Sequence, residues 1–246
     1  MSYSNHPVNL LRLEGIPILE QLQIEEGLLR ADDRNWCIVN HGSPPAIVMG
    51  ISGKAHELID LPRLQTSPVP VIRRFSGGGT VLIDEDTWFV TFIFNAASVP
   101  IEPFPEKIMR WTETLYKPFF APHPFALQEN DYVMGARKCG GNAQSICKGR
   151  WLHHSSFLWD YCQQRMNHLL LPKKAPGYRA QRSHDEFLFR LKDFYPGKQQ
   201  MVEDWLDCLK NLFVIQEAAK ADVDALVKSR PHRQSTKVEF ENLTTS

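Results

Sequence analysis

The chain has 246 residues, with Lys plus Arg and Asp plus Glu balanced at 28 each. That balance leaves no bulk electrostatic reason for binding nucleic acid or an anionic membrane, and no apolar run approaches the ~20 residues needed to span a bilayer. The cysteines (Cys37, Cys139, Cys147, Cys162 and Cys208) are an odd number at low density, which predicts reduced thiols in an intracellular compartment rather than a disulfide scaffold.

At the N-terminus, Met1 to Pro7 lacks the basic-then-apolar order of a secretory signal, so a cytoplasmic protein is expected. Removal of a targeting segment before residue 1 would instead imply a mitochondrial or plastid matrix. The apolar spacing from Ile18 through Leu22 to Leu29 predicts a helix with an acidic outer face. Trp36–Val39 and Ala46–Met49 read as short strands joined by a turn at Gly42-Ser43-Pro44-Pro45. Trp88–Phe94 predicts an aromatic-rich strand, and Pro103 and Pro105 open a helix through Ile108, Trp111, Leu115 and Tyr116. Residues 124–160 read as further strands. From Met201 to Val227 the spacing of Val202, Trp205, Leu206, Leu209, Leu212 and Phe213 again predicts helix, and the polar stretch Arg230–Ser246 predicts a frayed end. Helices mixed with mostly hairpin-connected strands make an α+β fold of mixed and antiparallel sheets flanked by helices.

The most informative stretch is Arg73-Arg74-Phe75-Ser76-Gly77-Gly78-Gly79-Thr80-Val81. Val71 and Ile72 lead in, and Leu82 and Ile83 lead out, so two extended segments are expected to meet at a bare-backbone turn. The glycines lack Cβ atoms, so their N–H groups can approach an anion closely, and Arg73 and Arg74 can offer fork-shaped donors. Alone, the stretch reads first as a glycine-rich hairpin with two surface arginines. It is neither a Walker loop nor a Gly-x-Gly-x-x-Gly turn.

A second constellation follows in Asn130-Asp131 and in Lys138-Cys139-Gly140-Gly141-Asn142-Ala143-Gln144, ahead of His153-His154-Ser155-Ser156. Lys138 stands at a strand-to-glycine junction, where an ammonium can neutralise a phosphate and polarise a carbonyl as charge develops on it. Gly140 and Gly141 let the backbone pass close to a flat ring. The alternative is a hairpin carrying a surface Arg-Lys pair.

In order and spacing over roughly residues 10–190, these motifs resemble the lipoate–protein ligase catalytic domain of the biotin/lipoate A/B ligase family. The resemblance implies the class II biotin/lipoyl-ligase fold, with a catalytic domain over 1–190, a helical appendage of that domain over 191–230 and a flexible tail over 231–246. It implies adenylation of lipoate by ATP with Mg²⁺, then transfer from lipoyl-AMP to a lysine of an acceptor. The acceptors would be lipoyl domains of 2-oxoacid dehydrogenase E2 subunits or the glycine-cleavage H protein.

Carried onto this chain, Lys138 is the catalytic residue, bridging the carbonyl oxygen and the α-phosphate. Arg73, Arg74, Ser76, Gly77, Gly78, Gly79, Thr80 and Val81 form the phosphoryl- and acyl-binding turn. Asn130 and Asp131 lie near the phosphates, with Asp131 as the Mg²⁺ ligand, and Gly141, Asn142 and Ala143 border the nucleotide or acyl chain. His153 and His154 line the acyl tunnel or orient its neighbours. Val81, Trp88 and Phe92 could supply an acyl slot, although core packing is the commoner role for such residues.

The chain departs from the family pattern in two places. Glu85-Asp86-Thr87-Trp88 replaces the Gly-Asn that usually follows Val81–Asp84, and Asn142 replaces a Ser or Thr. Little sequence follows Pro176-Gly177-Tyr178 to build the accessory C-terminal domain of many lipoate ligases. A separate accessory subunit, or a preformed acyl donor, is therefore expected. The basic run Tyr178–His184 reads as a solvated strip or a contact for an acidic acceptor. An octanoyltransferase with Cys139 as nucleophile, a biotin ligase and a non-catalytic lipoyl-domain binder are the rival readings. Cys139 should face away from the ligand if its neighbour Lys138 faces it.

Overall fold

A computed structural model describes residues 6–171 and 176–240. The N-terminal half runs β1 (Val8–Glu14), α1 (Ile18–Ala31), β2 (Asn35–His41), β3 (Ala46–Met49), the short helices α2 (Ala55–Leu58) and α3 (Leu61–Thr66), β4 (Val71–Arg73), β5 (Val81–Ile83) and β6 (Thr87–Asn95). Helix α4 (Pro105–Phe120) precedes a meander of β7 (Phe125–Gln128), β8 (Asp131–Met134), β9 (Arg137–Cys147) and β10 (Arg150–Leu158). The chain continues through α5 (Gln163–Met166), α6 (His184–Phe187), α7 (Lys198–Leu212), β11 (Ile215–Ala218), α8 (Lys220–Ser229) and β12 (Lys237–Phe240).

Eight strands form one sheet in the order β11-β1-β2-β6-β10-β9-β8-β7, and four form a smaller sheet in the order β12-β4-β3-β5. In the large sheet β1 runs parallel to β2 and to β11, and the other pairs are antiparallel. The α+β class with mixed sheets is as the sequence predicts.

Strand β6 shows why its sequence is apolar throughout. Trp88, Val90, Phe92 and Phe94 pack with Trp111 and Tyr116 of α4 and Trp205 of α7 on one face. Phe89 and Ile93 join clusters under α1 on the other. A strand covered on both faces has no solvated side to alternate with. Trp88 and Phe92 are therefore core residues rather than the lining of a slot.

Four local expectations change. Strands β4 and β5 do not pair across the glycine turn: β3 lies between them, parallel to β4 and antiparallel to β5. The glycine run must therefore cross from one side of β3 to the other, which a tight hairpin could not do. Strands β2 and β3 are consecutive but belong to different sheets, so the Gly42–Pro45 turn is a crossover. The predicted helix over 201–227 is two helices separated by β11, which extends the large sheet beside β1. The stretch from Arg230 carries β12, antiparallel to β4; residues 241–246 of the expected tail lie outside the described residues.

The acidic face expected on α1 is also internal. Glu25 and Glu26 are fully buried, because the helix lies between the sheets on one side and α8 with the C-terminal segment on the other. Glu26 accepts from the N–H groups of Ser235 and Thr236 and from the Thr236 hydroxyl, each at 2.9 Å, and from Arg30 Nε at 3.0 Å. It thereby fastens the segment leading into β12. Burial pushes this carboxyl up, but the Ser235, Thr236 and Arg30 donors outweigh it, and the net direction is below the usual 4.5. The stabilisation is present above that unfolded value and is lost as pH falls through the lower folded one. Glu26→Ala is expected to cost about 2–4 kcal/mol, since several charge-assisted bonds go and the donors are left buried. Chemical denaturation of both proteins at pH 7 checks this, and the gap should narrow in acid.

Candidate active site

A cavity of about 850 Å³ opens between the sheets, and the two constellations singled out in the sequence meet there. Arg74, Gly77, Gly78, Gly79, Thr80 and Val81 line it from the glycine run, facing Asn130, Asp131, Lys138, Gly141, Asn142 and Ala143, with His154 alongside. A smaller groove of about 390 Å³ between α1 and α8, lined by Glu20, Asp224, Lys228 and His232 among others, has no comparable convergence of cations and bare backbone.

Arg74 shapes the glycine run from within. Its Nη2 donates to the carbonyls of Gly77 (3.0 Å) and Gly79 (2.8 Å), and its Nη1 to Val48 (3.3 Å). Gly77 N–H donates to the Gln144 carbonyl at 3.0 Å, tying the run to β9. With the carbonyls drawn towards Arg74, the N–H groups of Gly78 and Gly79 find no partner among the described residues. Gly78 has φ +110°, and a Cβ there would lie 2.7 Å from Arg74 Nη2 and 2.9 Å from the Asn142 carbonyl oxygen. Arg74 Nε and Thr80 Oγ1 are buried without partners. Orphaned polar atoms are rare in folded proteins, and their gathering at one cavity marks a place that a polar ligand completes.

Lys138 reaches the cavity at the start of β9. Its Nζ lies 2.8 Å from Asp131 Oδ1, and the Tyr178 hydroxyl donates to Asp131 Oδ2 at 2.8 Å. Gly141 lies against this arm, and a Cβ there would make ordinary van der Waals contact with Nζ at 3.5 Å. The backbone is pinned from outside by Phe189 N–H donating to the Lys138 carbonyl at 2.7 Å. Cys139 points the other way, into the aromatic core, with its thiol on the Tyr132 carbonyl at 3.4 Å. Burial pushes that thiol far up, out of the range in which a thiolate forms.

Asp131 was expected as a metal ligand, but its two oxygens already serve Lys138 and Tyr178. Among the described residues no three His, Cys, Asp or Glu side chains converge as a metal site. In this structure Asp131 holds the Lys138 ammonium, and no all-protein cage for Mg²⁺ stands beside it among the described residues. Asn142 ties two elements together: its Nδ2 donates to the Asn130 carbonyl at 3.1 Å, and its Oδ1 accepts from Ser155 at 3.2 Å.

Three residues of the sequence-based set lie away from the cavity lining. Arg73 forms a two-pronged ion pair with Glu239 of β12, at 2.9 and 3.0 Å, and donates to the carbonyls of Ile51 and Gly53. Its guanidinium is spent on holding the small sheet together. Ser76 is buried beneath the run, with its carbonyl accepting from Ile51 N–H. His153 faces the core, touching the Tyr132 hydroxyl at 3.0 Å and Gln144 Nε2 at 2.9 Å. Burial, then the neighbouring His154, pushes it down to about 3, so it is a neutral prop for Gln144.

His154 takes the opposite face of β10. Its Nδ1 lies 2.9 Å from Glu25 Oε1, and Glu25 also accepts from Gln21 and Thr91. Glu25 was missed because a carboxylate on a helix reads as solvated; the only sequence signal was an acidic pair on a helix with too few polar positions around it. The strip Tyr178–His184 was misjudged as well. Tyr178 holds Asp131, Arg179 is buried at the cavity wall, and Arg182 donates to the backbone of Ala136, Tyr178 and Arg179.

The model of the lipoyl protein ligase A/B catalytic domain matches residues 17–213. The chain belongs to this family. It is similar to inactive lipoate–protein ligase 2 of Plasmodium falciparum, at 26% identity over 76% of this chain and 65% of that protein. It is also similar to lipoate–protein ligase LplJ of Bacillus subtilis, at 25% identity over 78% and 58%. The chain thus spans less than two thirds of the length of these relatives. Among solved structures, a chain of the bi-partite lipoate protein ligase and E2 lipoyl domain system of Thermoplasma acidophilum superposes with a TM-score of 0.72, at 17% identity over 91% of each chain. A lipoate-protein ligase A bound with ATP superposes at 0.71, with 17% identity over 93% of this chain and 94% of that one. At those identities the likeness establishes the fold.

Proposed function

We propose that this chain is the catalytic domain of a lipoate–protein ligase, which adenylates lipoate with ATP and transfers the lipoyl group to a lysine of a lipoyl domain. The observation that carries the proposal is the meeting of Lys138, anchored on Asp131, with the bare N–H groups of Gly78 and Gly79 across one cavity. A carboxylate is a poor acyl donor. Attack of its oxygen on the α-phosphorus breaks the bond to the β-phosphate and releases pyrophosphate, leaving a mixed anhydride. The acceptor amine, its proton shed to solvent, then attacks the acyl carbon, and the C–O bond to AMP breaks. Both steps need alignment and charge stabilisation more than a nucleophile.

In this reading the Lys138 ammonium faces the anhydride between the acyl carbonyl and the phosphate, and the glycine N–H groups face the phosphoryl oxygens. Ile18, Leu22, Val81, Ile83 and Phe89 offer an apolar slot for the acyl chain. ATP would bring its Mg²⁺ on its own phosphates. The acceptors would be E2 lipoyl domains or the glycine-cleavage H protein, in the cytoplasm or an organelle matrix. The ATP-bound neighbour and the neighbour described with an E2 lipoyl domain support this choice of substrates by family kinship.

A second reading has a specific observation behind it. The chain spans 65% and 58% of the length of two relatives, one of them named inactive. The inactive name of that relative supports a lipoyl-domain binder without catalysis as the alternative. A cysteine-based transferase has less support, because Cys139 lies in the core. Cys139→Ala should keep acyl transfer within about 3-fold of the parent, whereas loss of transfer with the fold intact would restore the cysteine mechanism. Incubation with ATP, Mg²⁺ and lipoate should release pyrophosphate and leave lipoyl-AMP on the protein. Absence of both, with ATP bound, would move activation to another subunit.

A further inference from the structure

Of the arginine and lysine side chains that line the cavity among the described residues, two have their charge engaged. Arg74 has both terminal nitrogens on backbone carbonyls, with Nε alone unpartnered, and Lys138 is paired with Asp131. The third is Arg179. It is 5% exposed, and its Nη2 is buried without a hydrogen-bond partner.

We propose that Arg179 is a phosphate anchor, binding the pyrophosphate portion of the nucleotide; this rests on the ligase reading above. Several features hold the side chain in place with that nitrogen unspent. Its Nε donates to the Arg182 carbonyl at 3.1 Å, while Arg182 Nε donates back to the Arg179 carbonyl at 3.0 Å. Its guanidinium carbon lies 4.8 Å from the centroid of the Phe187 ring. The turn carrying it ends in two consecutive left-handed non-glycine residues, Ala180 (φ 49°) and Gln181 (φ 57°), a costly backbone that persists only where the surroundings enforce it. Among the described residues no carboxylate lies within ion-pair distance of Arg179, and the one that acts on it from further off, Asp131, is shared with Lys138 and Tyr178. A buried, unpaired cation is expensive, and a polyanionic ligand supplies the missing partner.

Arg179 follows directly on Tyr178, which holds the Asp131 oxygen that Lys138 does not take. Lys138 and the glycine turn serve the reacting α-phosphate. Arg179, lining the same cavity next to Tyr178, is left for the β- and γ-phosphates that depart. A planar guanidinium suits that task because it can bind two phosphate oxygens at once.

Calorimetric titration of the full chain with inorganic pyrophosphate and, separately, with AMP tests this. Arg179→Gln should weaken pyrophosphate at least about 10-fold and AMP by no more than about 2-fold, and Arg179→Lys should recover part of the loss. Pyrophosphate binding equal in parent and Arg179→Gln, or undetectable in the parent, would overturn the proposal. An equal loss of pyrophosphate and AMP would also overturn it, because that is what a collapsed wall produces. The ligase reading is judged apart from this: if lipoylation from ATP proceeds while pyrophosphate binding ignores Arg179, only the anchor is lost.

Discussion

Lys138→Ala is expected to lower lipoyl transfer to an acceptor domain by about 10²–10³-fold, the usual cost of removing one preorganised charge donor from a water-poor site. The fold should survive, because Asp131 keeps the Tyr178 hydroxyl and the Lys138 backbone remains tied to Phe189. Lys138→Arg should not restore the rate: the flat guanidinium is larger than the point charge it replaces, and its fork would stay bidentate on Asp131. Asp131→Asn separates positioning from catalysis. It should cost about 10-fold in transfer, by freeing the Lys138 arm, without abolishing it. Single-turnover transfer from synthetic lipoyl-AMP measures all three variants without the adenylation step. A Lys138→Ala rate within 3-fold of the parent would remove the residue from the chemistry.

The second large effect is steric. Gly50 and Gly78 approach so closely that a Cβ on Gly50 would lie 2.2 Å from the Gly78 carbonyl oxygen. No flexible side chain is there to yield, so Gly50→Ala must displace the glycine run itself. Gly78→Ala adds a Cβ against Arg74 Nη2 and the Asn142 carbonyl at φ +110°, a backbone that L-residues rarely adopt. Each should cost about 2–4 kcal/mol and lower Tm by roughly 4–16 °C, with loss of nucleotide binding. Gly79→Ala meets nothing within 4 Å, and its Tm should stay within about 2 °C of the parent. Thermal melts of the three variants give the contrast; equal shifts at Gly78 and Gly79 would refute this account of the run.

The parts of the fold legible in the sequence were those fixed by short-range pattern. The spacing of Ile18, Leu22 and Leu29, the aromatic run of β6 and the strands between residues 124 and 160 all report local periodicity. The placement of the elements was not legible. Nothing in Val71–Ile83 says that β3 comes between β4 and β5, and Ile215–Ala218 is too short to outweigh the helical pattern on either side of it.

The site divides in the same way. The glycine turn and Lys138 stand out because bare backbone and an isolated ammonium have few structural uses. Arg73 and Arg74 look equivalent in sequence, yet adjacent strand positions diverge: one meets Glu239 in the small sheet and the other the cavity. His153 and His154 part in the same manner, one beside Tyr132 in the core and the other beside Glu25. Tyr178 and Arg179 could not be found from pattern, because their partners Asp131 and Phe187 reach them only through the tertiary fold.

The most direct measurement is the intact mass of an apo lipoyl domain after incubation with this chain, supplied either with ATP, Mg²⁺ and lipoate or with synthetic lipoyl-AMP. The account predicts one lipoyl group added to the acceptor from either donor with the parent protein, and a severe loss of the adduct with Lys138→Ala. No adduct from lipoyl-AMP, or an adduct indifferent to Lys138, would contradict the assignment of the cavity around Lys138 as the site of acyl transfer.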